Sequence, residues 1–98
     1  MTDTQPGEKV VAPEGNIVAS MAEPFRERLK AALGREGASL TIDCSSVTMI
    51  DSVGIGLLIA AHNSLEKAGG RLALRDVSPE IGKLLRAMRL DKHFHIIP

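Results

Sequence analysis

Residues 49–58, MIDSVGIGLL, decide the fold. An apolar run ends in an acid, Asp51, and a hydroxyl, Ser52. Gly54 and Gly56 follow, one residue apart, and an aliphatic run begins. From Val53 to Ala68, the residues Ile55, Leu58, Ile59, His62 and Leu65 fall on one helical stripe, which Leu57, Ala60 and Ala61 widen. A helix apolar over so much of its circumference packs against something broad, such as a sheet. Asp51 and Ser52 thus stand where an extended segment turns into a buried helix.

The segments on either side supply the sheet. ASLTIDC, residues 38–44, predicts a strand with Leu40 and Ile42 at period two, and SSVTMI continues it as a loop or a second short run. After Gly69-Gly70, RLALRDV predicts another strand, with Leu72 and Leu74 inward. SPE then opens a helix. Ser78 can cap it, Pro79 suits its first position and Glu80 faces the positive dipole end. Ile81, Leu84, Leu85 and Met88 predict its core stripe, and HFHII closes as a last strand.

Upstream, KVVAP predicts a short strand ended by Pro13 and the Glu14-Gly15-Asn16 turn. Met21, Phe25, Leu29 and Ala32/Leu33 predict a helix over residues 21–33. Ser20 and Glu23 have the spacing of a capping box, although Pro24 allows a start at Glu23, and Gly34 and Gly37 end the helix. Residues 1–8 are expected to be a polar tail and residues 9–98 a single small domain. Strands joined through helices imply a largely parallel sheet of four to five strands, and so an α/β fold. Sites in such sheets lie beyond the strand carboxyl ends, where Asp51 and Ser52 fall.

Composition excludes several functions. The 98 residues carry 12 basic and 12 acidic side chains, so no net field draws in nucleic acid or an anionic membrane. With two Phe and neither Trp nor Tyr, base-stacking platforms are nearly excluded. Cys44 is the only cysteine, so an internal disulfide and a thiolate metal cluster are both impossible, and a quiet core thiol is expected. The N-terminus lacks signal-peptide character and no apolar run reaches the roughly 18 residues of a membrane span. A cytoplasmic protein is the expectation.

The catalytic and ligand-binding alternatives are weak. Gly54 and Gly56 lack the third small residue of a dinucleotide fingerprint, since Ile59 stands there, and no P-loop lysine follows. His93 and His95 share a strand face without further metal ligands nearby. His62 lies about 10 residues along the helix from Ser52, roughly 15 Å of rise, which rules out a triad with Asp51. No cofactor is expected. For Ser52 two uses remain. The commoner is a helix N-cap. The other is a phosphorylation site, where a phosphate would meet free amides and add about −1.5 to −2 charges beside Asp51.

LTIDCSSVTMIDSVGIGLL resembles the signature of the STAS family, the anti-sigma-factor antagonists, at Asp43, Asp51, Ser52, Gly54 and Gly56. AGGRLALRDVSPEIGKLLRAMRLDKHFHI continues the resemblance, and GNIVASMAEPFRERL is similar more loosely. The resemblance implies a non-enzymatic binding module. Its partners would be an anti-sigma factor that is also a serine kinase, and a PP2C-type phosphatase that resets the switch. Carried onto this chain, the partner-binding residues are Asp51, Ser52, Val53, Gly54 and Ile55, and the phosphoacceptor is Ser52.

Three departures from the family pattern stand out. Many antagonists carry the acceptor hydroxyl directly before the glycine, and here that residue is Val53. In other members the acceptor directly follows the Asp, which selects Ser52. Arg89 stands where a turn glycine is common. The third departure is length: the leading strand is expected to be short or absent and the usual last helix to be missing after HFHII, which would leave apolar sheet surface for a partner or a second copy. Val53 also keeps open a second possibility, an unswitched adaptor that holds another protein, such as a transporter ATPase.

Overall fold

A computed structural model describes residues 8–32 and 39–98. Four strands, β1 (Glu8–Val11), β2 (Ser39–Asp43), β3 (Leu72–Arg75) and β4 (His95–Ile96), pair in sequential order, every pair parallel. The helices α1 (Ala22–Ala32), α2 (Ser52–Lys67) and α3 (Pro79–Ala87) make the crossovers. Right-handed crossovers between strands laid down in one direction bring all three helices to the same face. The register explains the alternation. Val11, Ile42, Leu74 and Ile96 form one row toward the helices. Val10, Thr41, Ala73 and His95 form the adjacent row on the opposite face.

The core sits between sheet and helices. Phe25 and Leu29 of α1, Leu58 and Leu65 of α2, and Leu85 of α3 close over Leu40, Ile42, Leu72 and Leu74. Each such side chain contributes about 1.5–3 kcal/mol by leaving water. On α2 the expected stripe is narrower than the sequence implied, because Ile59 and Ala60 are exposed. Among the described residues no helix is long and apolar enough to cross a membrane.

Several expected features differ. The capping box at Ser20 and Glu23 is absent. Ala19–Met21 form a 3-10 turn instead, and α1 starts at Ala22. The terminating Gly34 and Gly37, like Leu33 and nearly all of the expected tail, lie outside the described residues, and Glu8 already belongs to β1. On α3, Ser78 does cap, accepting from the Ile81 amide at 3.2 Å, with Pro79 as the first helical residue. Its core stripe is Ile81, Gly82 and Leu85, while Leu84 is exposed and Met88, 48% exposed, terminates the helix. Leu90–Lys92 form a second 3-10 turn, so the HFHII strand shrinks to His95–Ile96, although Phe94 is fully buried. Arg89 adopts the left-handed conformation, φ 61°, that the usual glycine would take without strain.

Candidate functional site

The site lies beyond the carboxyl ends of β1 and β2, where two loops are stitched together. Asn16 Oδ1 accepts from the Thr48 amide at 2.8 Å, the Thr48 hydroxyl at 3.0 Å and the Met49 amide at 3.0 Å. Ile17, fully buried, donates its amide to the Met49 carbonyl and accepts at its own carbonyl from the Asp51 amide. A bridge between Ile17 and Ile50 runs parallel, extending the sheet pattern into the loops. The last residues before α2 are therefore held in an extended line.

Asp51 ends that line and caps the helix. Its backbone is extended, with φ −96° and ψ −175°, as an N-cap requires. One carboxylate oxygen accepts from the Gly54 amide at 2.9 Å, and the other from the Ala19 amide at 2.9 Å. These two donors, Gly54 first, hold the Asp51 carboxyl below the usual carboxylate range. Ser52 had the cap as its commoner expected use, and that expectation is corrected. Because Asp51 occupies the cap, Ser52 is the first helical residue and its side chain is exposed.

Gly54 fixes how closely this corner packs. A Cβ added there would collide with the Ile17 carbonyl and approach the Cγ2 atoms of Ile17 and Ile50 to 2.9 Å. Only glycine lets the first turn of α2 lie against the Ile17 strand line. Nothing lies within 4 Å of the same position on Gly56. Of the expected binding residues, Gly54 and Ile55 are buried and build the scaffold. Asp51, Ser52 and Val53 face outward, and Val53 (41% exposed) and Met49 (56% exposed) flank the hydroxyl with apolar surface.

The neighbouring acid, Asp43, has a different task. It accepts from the Ser45 amide at 2.9 Å and from Arg75 at 3.2 Å, which turns the chain out of β2. The Ser45 amide and hydroxyl, with Arg75 behind them, keep its carboxyl low. Cys44 is buried as expected, and burial pushes its thiol up to about 12, with the charges of Asp43 and Asp76 acting in the same direction. The histidines do not join this corner. His62 packs edge-on against Phe94, 5.6 Å between centroids, and its ring lies 5.4 Å from that of His93. Among the described residues no group of three metal-ligating side chains comes together.

An acid-capped helix start beside an exposed serine, at the rim of a sequentially ordered parallel sheet, agrees with the sequence signature. The STAS domain profile matches residues 1–98. This chain belongs to the STAS family. An anti-sigma-B factor antagonist of Listeria monocytogenes is 33% identical over 77 residues, which cover 79% of this chain and 68% of that protein. Among solved structures, a putative anti-sigma factor antagonist from Thermotoga maritima superposes with a TM-score of 0.86 at 19% identity. The match covers 98% of this chain and 83% of that one. The phosphorylated form of the Bacillus cell-fate determinant SpoIIAA superposes with a TM-score of 0.70 at 21% identity, covering 98% and 86%.

Asn16, Ile17 and Ala19 are the site residues that sequence reasoning missed. The Glu14-Gly15-Asn16 turn was visible. Its docking onto a loop 32 residues away was not, because hydrogen bonds between loops leave no periodic signal.

Proposed function

We propose that this STAS domain is an anti-sigma-factor antagonist, switched by phosphorylation of Ser52 by a partner anti-sigma factor with serine kinase activity, and reset by a PP2C-type phosphatase. The observation that carries the proposal is the division of labour at the helix start. Asp51 takes the capping amide, so the Ser52 hydroxyl has no structural duty and stands exposed.

The switch is electrostatic. Unmodified, the Met49–Val53 rim offers an apolar contact with a small polar centre. A phosphate would add about −1.5 to −2 charges beside the ionised Asp51. The Gly54 amide is already engaged by Asp51, so the phosphate points outward at the partner and leaves the fold intact. Burying that charge against an apolar or acidic surface without compensation is costly, and the complex separates.

Binding of the anti-sigma partner by purified variants tests the proposal. Ser52→Ala should bind whether or not ATP is present, and Ser52→Asp should bind at least about tenfold more weakly, a difference of about 1.4 kcal/mol. Val53 at the position directly before the glycine favours a second reading, an unswitched adaptor. Equal affinity of wild type and Ser52→Asp for the captured partner would select it.

A further inference from the structure

Phosphoryl transfer to Ser52 needs its hydroxyl held in place, because small errors of position slow a reaction steeply. The chain just before Asp51 has little of its own to hold it. Thr48 and Met49 are exposed and belong to no strand or helix, and Ile50 contributes only an isolated bridge. Their backbone is fixed from outside, by the loop between β1 and α1.

Asn16 supplies the shortest of these contacts through one atom. Its Oδ1 accepts from the Thr48 amide, the Thr48 hydroxyl and the Met49 amide, at 2.8, 3.0 and 3.0 Å. Two of the three partners are backbone N–H groups, which only donate, so the side-chain oxygen and not the nitrogen faces them. Ile17 makes the next contacts with its backbone. Its amide donates to the Met49 carbonyl at 3.2 Å, and its carbonyl accepts from the Asp51 amide at 3.3 Å. Ile17 and Ile50 are buried, so they keep the two segments together whatever stands at position 16. The task left to Asn16 is to fix where Thr48 and Met49 lie, and through them the segment that presents Asp51 and Ser52.

With Ser52 as the phosphoacceptor, as proposed above, we infer that Asn16 is a positioning residue for its phosphorylation, acting through residues 48–51. It holds the acceptor rim in one conformation before the kinase arrives, so that docking need not order the segment. Without Oδ1 the competent conformation is only a fraction of the population, and the apparent affinity of the kinase falls by that fraction.

Initial rates of phosphorylation of the full chain by its cognate anti-sigma kinase test this, with each variant kept well below its melting temperature. Asn16→Ala should raise KM about tenfold and leave kcat nearly unchanged. Amide exchange at Thr48 and Met49 should quicken in that variant, while exchange at Leu72 and Leu74 of β3 stays as in wild type. Asn16→Asp keeps an acceptor for all three donors and should bring KM back to within about threefold of wild type. Ile81→Val loosens the core beneath α3, and should lower the melting temperature with KM unchanged. A wild-type KM in Asn16→Ala, with wild type modified on Ser52, overturns the positioning role and leaves the acceptor assignment standing. Unchanged exchange at Thr48 and Met49, an equal rise of KM in Ile81→Val, or no rescue by Asn16→Asp overturns it in the same way. No phosphate on Ser52 of wild type overturns both.

Discussion

The carboxylate of Asp51 and the amide of Ala19, 32 residues apart in sequence, meet at 2.9 Å. The same carboxylate caps α2 through Gly54. One side chain therefore sets the helix start and ties it to the 3-10 turn that leads into α1. Asp51→Asn keeps an acceptor for one amide but places a donor near the other. Asp51→Ala loses both bonds. Thermal unfolding should fall in the order wild type, Asn, Ala, and phosphorylation of Ser52 should slow in the same order as the hydroxyl loses its fixed position.

The acid limb of stability follows from the same contacts. Asp51 and Asp43 both have folded-state pKa values below their unfolded ones. Their contribution is complete above the unfolded value, about 3.9, and is lost as pH falls through the lower folded values. Denaturant titrations should show constant stability from these groups at neutral pH and a decline below about pH 4. Asp51→Ala should flatten that decline.

The two glycines of the helix start should respond in opposite ways. Gly54→Ala forces a methyl into the Ile17 carbonyl, an overpacking that costs about 1–3 kcal/mol. Gly56→Ala meets nothing and removes a flexible residue from a helix, which should stabilise by about 0.5–1 kcal/mol. Midpoints of chemical unfolding for the two variants check both signs.

Arg89 pays for its left-handed backbone without a visible return, since its side chain makes no capping bond. Arg89→Gly should raise stability by up to about 1 kcal/mol, the left-handed strain removed less the added chain freedom. An unchanged or lower midpoint would show that the arginine side chain contributes something that offsets the strain.

His62 has a buried Nδ1 with no hydrogen-bond partner, while its ring packs on Phe94. His62→Phe retains an aromatic contact and removes the orphaned nitrogen. It should stabilise by about 1 kcal/mol, the lower end of the cost of an unsatisfied buried polar group. A loss of stability on thermal melting would mean that the nitrogen is paired in solution.

The sequence made the strand–helix alternation legible because Leu40 and Ile42, Leu72 and Leu74, and the α2 stripe carry periods that the parallel fold requires. The junction at Asp51 and Ser52 was legible for the same reason, as the meeting of two periods, whereas the family signature there was read as a resemblance of the residues themselves. The division of roles between these two residues was not. Both are good N-caps, and the choice depends on the Ala19 amide, which only the tertiary fold brings to Asp51. The last strand was overestimated because HFHII has strand composition, while the left-handed turn at Arg89 and the 3-10 turn after it take up the chain before β4. Met88 has the spacing of the α3 stripe yet terminates the helix, where the chain departs from helical direction and its side chain leaves the core.

Ser52 phosphorylation is the central claim, and site-resolved mass spectrometry of the chain after incubation with its cognate anti-sigma kinase and ATP tests it most directly. The account predicts a single added phosphate on Ser52, absent from Ser52→Ala. A phosphate on any other residue, or none with a kinase active on its other substrates, would contradict it.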